Sequence, residues 1–133
     1  MPTVSFELDR VYTYDEIRKM TGAGSTQTYL LSNGKRIVAG CFDPEINPNA
    51  PNLVYPGPGP IIMSSAERVV LQRTPIPVFL KEDGGYRYQG DYLATALSRE
   101  AHHIAEAKRQ TPNRKADIAG VIRFIPATEE HYL

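Results

Sequence analysis

Between Asp43 and Pro60 the chain carries Pro44, Pro48, Pro51, Pro56, Pro58 and Pro60. Each proline lacks a backbone N–H and fixes φ near −65°, so this stretch can be neither a helix interior nor a central strand. Only Val54-Tyr55 is free enough to pair briefly, at a sheet edge. A long loop of this kind inside a compact domain is usually functional or mobile. The full 133 residues suffice for one core, burying roughly two-thirds of the surface exposed when unfolded. The expectation is a single domain over 1–126, with 127–133 a tail beyond Pro126.

The flanks of this stretch read as alternating local signals. Thr13-Tyr14-Asp15-Glu16 matches a capping box that opens a short helix to about Met20, with Ile17 and Met20 on one face. Thr21-Gly22-Ala23-Gly24-Ser25 supplies the residues that end it. Thr26, Thr28 and Leu30 then alternate with Gln27, Tyr29 and Leu31, and Asn33-Gly34 predicts a two-residue hairpin turn with Arg36–Phe42 as return strand. After the prolines, Ser64-Ser65-Ala66-Glu67 reads as a second capping box, opening a helix through Val69, Val70 and Leu71 that stops before Thr74-Pro75.

Pro77–Lys81 predicts a buried strand, Glu82–Gly85 a turn, and Tyr86–Ala94 the antiparallel partner. Tyr86, Tyr88 and Tyr92 share parity and line one face unless a bulge intervenes at Gly90. Ser98-Arg99-Glu100 starts a third helix, in which Ala101, Ile104, Ala105 and Lys108 recur at helical spacing up to Thr111-Pro112. Ile118–Ile125 is apolar enough for a sheet interior. Hairpins interrupted by three helices, without repeating βαβ units, predict an α+β domain on a curved, mainly antiparallel sheet or small barrel.

Composition excludes several classes of function. Lys and Arg total 15 and Asp and Glu total 15, so a generic polyelectrolyte binder is ruled out. The single cysteine, Cys41, forms no internal disulfide or cysteine-built zinc site, and acids at Glu7 and Asp9 stand where a signal peptide would be apolar. No run of ~18 apolar residues occurs, and a cytoplasmic protein is the simplest expectation. Gly22-Ala23-Gly24-Ser25 follows a helix and lacks both the third glycine of a dinucleotide fingerprint and the Gly-Lys-Ser/Thr ending of a P-loop. His102 and His103 are adjacent on a helix, where their side chains diverge by roughly 100° and are expected not to share a metal. His131 falls in the tail. No metal centre and no cofactor are expected. Cys41 reads as a buried, inert thiol, and no serine sits in a G-x-S-x-G elbow. A binding module is favoured over an enzyme, although triads assembled from distant segments leave no sequence trace.

Aromatic residues interleave with polar ones: Tyr29 beside Gln27, Phe42 beside Asp43, and Tyr86, Tyr88 and Tyr92 beside Arg87, Gln89 and Asp91. Rings next to amides and carboxylates suit a flat heterocycle, stacked on its faces and bonded at its edge. Tyrosines alternating in a strand are more often half-buried sheet residues with wet hydroxyls. Positive charge gathers at Lys108, Arg109, Arg114 and Lys115, with His102-His103 upstream and Lys35-Arg36 at the hairpin tip. These cations either hold phosphates or complement the negative pole of a helix end.

Three segments carry a family resemblance: Gly24-Ser25-Thr26-Gln27, the Pro77–Lys81 strand answered by Gly84-Gly85-Tyr86-Arg87-Tyr88-Gln89-Gly90-Asp91-Tyr92, and Gly120-Val121-Ile122-Arg123-Phe124. In order and character they resemble prokaryotic PUA-like and SRA-like recognition domains, including those found with HNH nucleases in modification-dependent restriction systems of cellular defence. The Tyr-Asp-Gly order of SRA domains is replaced by Gly90-Asp91-Tyr92, and no HNH metal ligands are present. The resemblance implies a PUA-like barrel flanked by about three helices that binds modified or unusual DNA without cleaving it. It further implies a base pocket of Gln27, Tyr29, Phe42, Asp43, Tyr88, Asp91 and Tyr92, with phosphates held by Lys35, Arg36, His102, Lys108, Arg109, Arg114 and Lys115. A nuclease partner or fused domain would supply cleavage. Two other readings stay open: a small-molecule or nucleotide-binding enzyme domain with its pocket under the 43–60 loop, and a protein-interaction accessory module using exposed tyrosines.

Overall fold

The computed structural model of the chain describes residues 5–24 and 28–127. A two-residue strand β1 (Val11–Tyr12) leads into helix α1 (Tyr14–Thr21). The Thr13 capping box is complete: the Glu16 amide donates to Thr13 Oγ1 at 3.1 Å and the Thr13 amide donates to Glu16 Oε1 at 2.9 Å. Gly22 ends the helix at φ 76°, a left-handed conformation that glycine adopts without steric cost. Of the two residues placed on the inner face, Ile17 is fully buried but Met20 is exposed. The hairpin forms at Asn33-Gly34 as expected, from β2 (Leu30–Asn33) and β3 (Arg36–Phe42). β2 begins later than the alternation suggested, and Ser25, Thr26 and Gln27 lie outside the described residues.

The proline-rich stretch contains a two-residue strand β4 (Leu53–Val54) at the sheet edge and a cis peptide bond at Ala50-Pro51. Helix α2 (Pro60–Leu71) starts one turn before the second capping box, because Pro60 occupies the first helical position, where its missing N–H costs nothing. Ser64–Glu67 therefore lies inside α2 and caps nothing. Strands β5 (Ile76–Glu82) and β6 (Gly85–Ser98) form a long hairpin; helix α3 (Ala101–Gln110) and strand β7 (Val121–Pro126) complete the described chain. The inner face of α3 is Ile104 and Ala107, not Ala101 and Ala105, which are exposed.

Among the described residues, seven strands make one mixed sheet in the order β2-β3-β5-β6-β7-β4, with β1 added on β6. All pairings are antiparallel except β3 with β5. With three helices around this sheet among the described residues, the architecture is α+β.

Alternation along the strands sends side chains to two cores. Leu30, Phe42, Ile76, Val78 and Phe124 pack under α2, while Leu31, Ala39, Cys41 and Phe79 pack with Ile17 of α1. Gly40 is required by the first core: a Cβ there would lie 2.6 Å from Cζ of the fully buried Phe42 ring. A third, small cluster joins α3 to the proline-rich stretch through Tyr55, Ala107 and Ile118.

Two irregularities in β6 govern where its side chains go. The register with β5 shifts between Val78 and Phe79, which oppose Gly90 and Tyr88, leaving Gln89 as the extra residue of a bulge. Tyr88 consequently packs on the α1 side with Phe79, whereas Tyr92 faces the α2 side opposite Ile76. The shared face for Tyr86, Tyr88 and Tyr92 is thereby divided. A second shift, at Thr95, interrupts pairing with β7 between Ala94 and Ala96.

Candidate functional site

The aromatic residues read from the sequence as a pocket are distributed through the interior. Phe42 is 0% exposed, its ring centroid 5.5 Å from that of Phe124 and 6.4 Å from that of Tyr29. Tyr29 is half-buried on the α2-side core, donates its hydroxyl to the Ile62 carbonyl at 2.7 Å, and has its phenol pKa raised by burial. Tyr92 packs against the same core. Tyr88 belongs to the opposite core and donates to Asp91 Oδ1 at 2.6 Å; burial first, then that carboxylate, raises its pKa. Asp43 accepts from the Glu45 amide at 2.9 Å and lies 4.0 Å from Lys81 Nζ. Gln27 lies outside the described residues.

The cations do not form one patch. Arg36 lines a cavity of about 260 Å³ that also includes Phe6 and Asp91, and Lys35 lines a separate shallow depression beside Glu67 and Arg68 of α2. Lys108, Arg114 and Lys115 converge instead around the 111–118 turn, in a polar depression of about 360 Å³. Lys108 pairs with Asp117 at 3.0 Å and holds that carboxyl below its usual range. Arg114 reaches back to the Ile46 carbonyl at 3.2 Å, and its buried Nε has no hydrogen-bond partner within the protein. Arg109 is held by Glu106.

The most apolar of the cavities described here, about 350 Å³, lies between α3 and the β6–β7 surface. Its walls are Leu53, Tyr55, Ala96, Ala107 and Val121; its polar groups include Ser98, His103, Glu106, Gln110 and Arg123. Three features open it. Small side chains at Ala96 and Ala107 leave space, the Thr95 irregularity bends the β6 wall, and Tyr55 is locked away as floor. Buried Asn47 accepts the Tyr55 amide through Oδ1 at 2.8 Å, and Asn49 Nδ2 donates to the Tyr55 hydroxyl at 3.0 Å. The proline-rich stretch is further tied down by the amides of Phe124 and Ala119, which donate to the Asn52 and Pro56 carbonyls at 2.9 Å.

Glu106 is held below the usual carboxylate range by Arg109 and then Gln110, so it is an ionised acceptor at neutral pH. Gln110 Nε2 donates to Glu106 Oε1 at 3.3 Å while its Oε1 accepts from Asn49. One rim thus presents a fixed carboxylate and an amide. Small-ligand pockets run from ~300 to 1,000 Å³, so this cavity has room for one planar heterocycle and little more. Of the residues expected from the sequence to hold phosphates, His102, Lys108 and Arg109 belong to the same helix.

Sequence reasoning missed Tyr55, Glu106, Gln110 and the facing alanines. Only the capacity of Val54-Tyr55 to pair at an edge pointed toward this region. Exposed tyrosines, needed for the protein-interaction reading, are absent among the described residues.

His102 and His103 also depart from expectation. Their rings do not diverge: the centroids are 4.1 Å apart, and both approach the Glu100 carboxylate, at 3.7 and 3.4 Å. Glu100 precedes the helix with extended backbone (φ −70°, ψ 138°), and its carboxylate lies beside both rings.

No family model matches the chain, and no curated protein matches it significantly. Solved structures do. The SRA domain of SUVH5 bound to fully hydroxymethylated CG DNA aligns with a TM-score of 0.55 at 16% identity, covering 93% of this chain and 93% of that one. The fold is SRA-like. The same domain with hemi-methylated CG DNA gives a TM-score of 0.53 at 15% identity over 92% of this chain and 88% of that one. With methylated CHH DNA the values are 0.51 and 13%, over 91% and 95%. No helix among the described residues is long and apolar enough to cross a membrane.

Proposed function

We propose that this chain is a non-catalytic reader of modified DNA that receives an extruded base in the cavity between α3 and β6–β7. The observation that carries the reading is the cavity itself: apolar walls around a space of about 350 Å³, rimmed by Glu106 and Gln110. Flipped bases are read by apolar contact on their faces and hydrogen bonds at their edge, which those two groups can supply as acceptor and donor. The SRA-like neighbours, each bound to methylated or hydroxymethylated DNA, support the same class of ligand. His102, Lys108, Arg109, Arg114 and Lys115, on α3 and the turn after it, grip flanking phosphates. Tyr29, Phe42, Tyr88 and Tyr92 are scaffold in this reading, setting the curvature of the sheet without touching the base. Cleavage comes from a separate nuclease or fused domain.

Fluorescence anisotropy with plain, cytosine-modified, adenine-modified and phosphorothioate duplexes tests the proposal. One modified duplex should bind at least about tenfold more tightly than plain DNA, with affinity falling steeply as salt rises. Equal or absent binding to all four would overturn it. A second reading is favoured by Leu53 and Tyr55, which bring the proline-rich stretch to the cavity wall: a free nucleobase or nucleoside is the ligand. Saturable nucleoside binding indifferent to salt, without duplex binding, would establish that alternative.

A further inference from the structure

We infer that Glu100, His102 and His103 form a binding site for a borderline divalent metal ion such as zinc, sharing His102 with the proposed phosphate contacts. One donor atom from each residue lies within 4.8 Å of the other two. The Glu100 Oε2 to His103 Nδ1 and Glu100 Oε2 to His102 Nε2 separations are 3.4 and 3.7 Å. Zinc–ligand bonds of ~2.0–2.1 Å in a tetrahedron set ligand atoms about 3.4 Å apart, so one of the three edges already has this length and a second is close to it. The third closes by side-chain rotation, which the exposure of all three residues leaves unhindered.

A second observation points the same way. Ser98 Oγ lies 2.5 Å from His103 Nδ1 and accepts the Glu100 amide at 3.3 Å, which places a further oxygen beside the three donors; its contact with Nδ1 gives way when that nitrogen turns its lone pair to the ion. The donor set selects the metal. Two imidazoles and one carboxylate favour zinc, nickel or copper, whereas magnesium and calcium require oxygen-rich shells. The positive pole of α3 opposes a cation at this position, and the Glu100 carboxylate at the N-cap offsets it. An ion there also fixes His103 at the rim of the α3 cavity.

The test is titration of the full chain, free of any polyhistidine tag, with Co²⁺ followed by visible absorption and with Zn²⁺ followed by calorimetry. The expected result is saturation at one equivalent with the intense d–d bands of four-coordinate cobalt. His102→Ala, His103→Ala and Glu100→Gln should each weaken binding about tenfold or more, Ser98→Ala by a smaller factor, with circular dichroism unchanged throughout. Failure to saturate at one equivalent would overturn the site, as would binding that survives the His102→Ala, His103→Ala double substitution.

Discussion

On the α1 face of the sheet, Phe6, Tyr12, Phe79 and Tyr88 meet with ring centroids 4.9 to 6.0 Å apart and leave little room for a guest among them. On the α3 side the helix approaches β6 and β7 through Ala107, Ala96 and Val121, and a cavity remains. The two regions show that aromatic density in this chain marks packing, while the hollow forms where facing side chains are too small to fill the gap.

The comparison can be broken or sharpened by substitution, and the largest effect is expected on the aromatic face. Phe79→Ala removes a fully buried ring and should cost ~3–5 kcal/mol in urea denaturation. A loss below about 1 kcal/mol would mean that the rings are not the rigid half of the molecule. Gly40→Ala should cost ~1–3 kcal/mol, because the Phe42 ring occupies the space of the new methyl and cannot retreat from a filled core.

Ala96→Trp probes the other half. Ala96 is exposed at the cavity wall, so thermal stability should change little, while affinity for the preferred modified duplex should fall at least about tenfold. Retained affinity would move the base away from the cavity. Lys115→Ala should weaken every duplex a few-fold without changing the preference among them, and lower the slope of log affinity against log salt by about 1.

Cys41 gives the smallest effect. Burial pushes its thiol up to about 12 from an ordinary 9.0, so the neutral form is retained on folding. Its contribution to stability is complete below pH 9 and is lost as pH rises toward 12. Iodoacetamide at pH 8.5 should leave the native protein unmodified by mass spectrometry while alkylating it in urea.

What the sequence revealed follows from how far apart the determining residues are. The Thr13–Glu16 cap and the Asn33-Gly34 turn are decided within four residues, and both formed as expected. Ser64–Glu67 satisfied an equally local pattern and failed, because Pro60 offered an earlier start and Ile61, Ile62 and Met63 extended the helix toward it. The parity of the tyrosines depended on Gln89, whose bulge is set by pairing with β5 and has no signature of its own. The cavity was least legible of all. Tyr55, Ala96, Ala107 and Arg123 come from four separate elements or loops, and alanines facing one another across a gap look in sequence like any others. The Glu100 cluster was hidden for a related reason: helical geometry governs His102 and His103 and not the residue that precedes the helix.

The parallel pairing of β3 with β5 bears on how the chain matures. Its two partners are separated by the whole proline-rich stretch and α2, so a nascent polypeptide has its first hairpin ready long before Ile76–Glu82 leaves the ribosome to receive it. Until then the flank of Arg36–Phe42 has no neighbour, and docking it means closing a long loop in a single slow step. Expression at reduced temperature, or alongside a holdase chaperone, should therefore improve the yield of soluble product more than stabilising either hairpin separately.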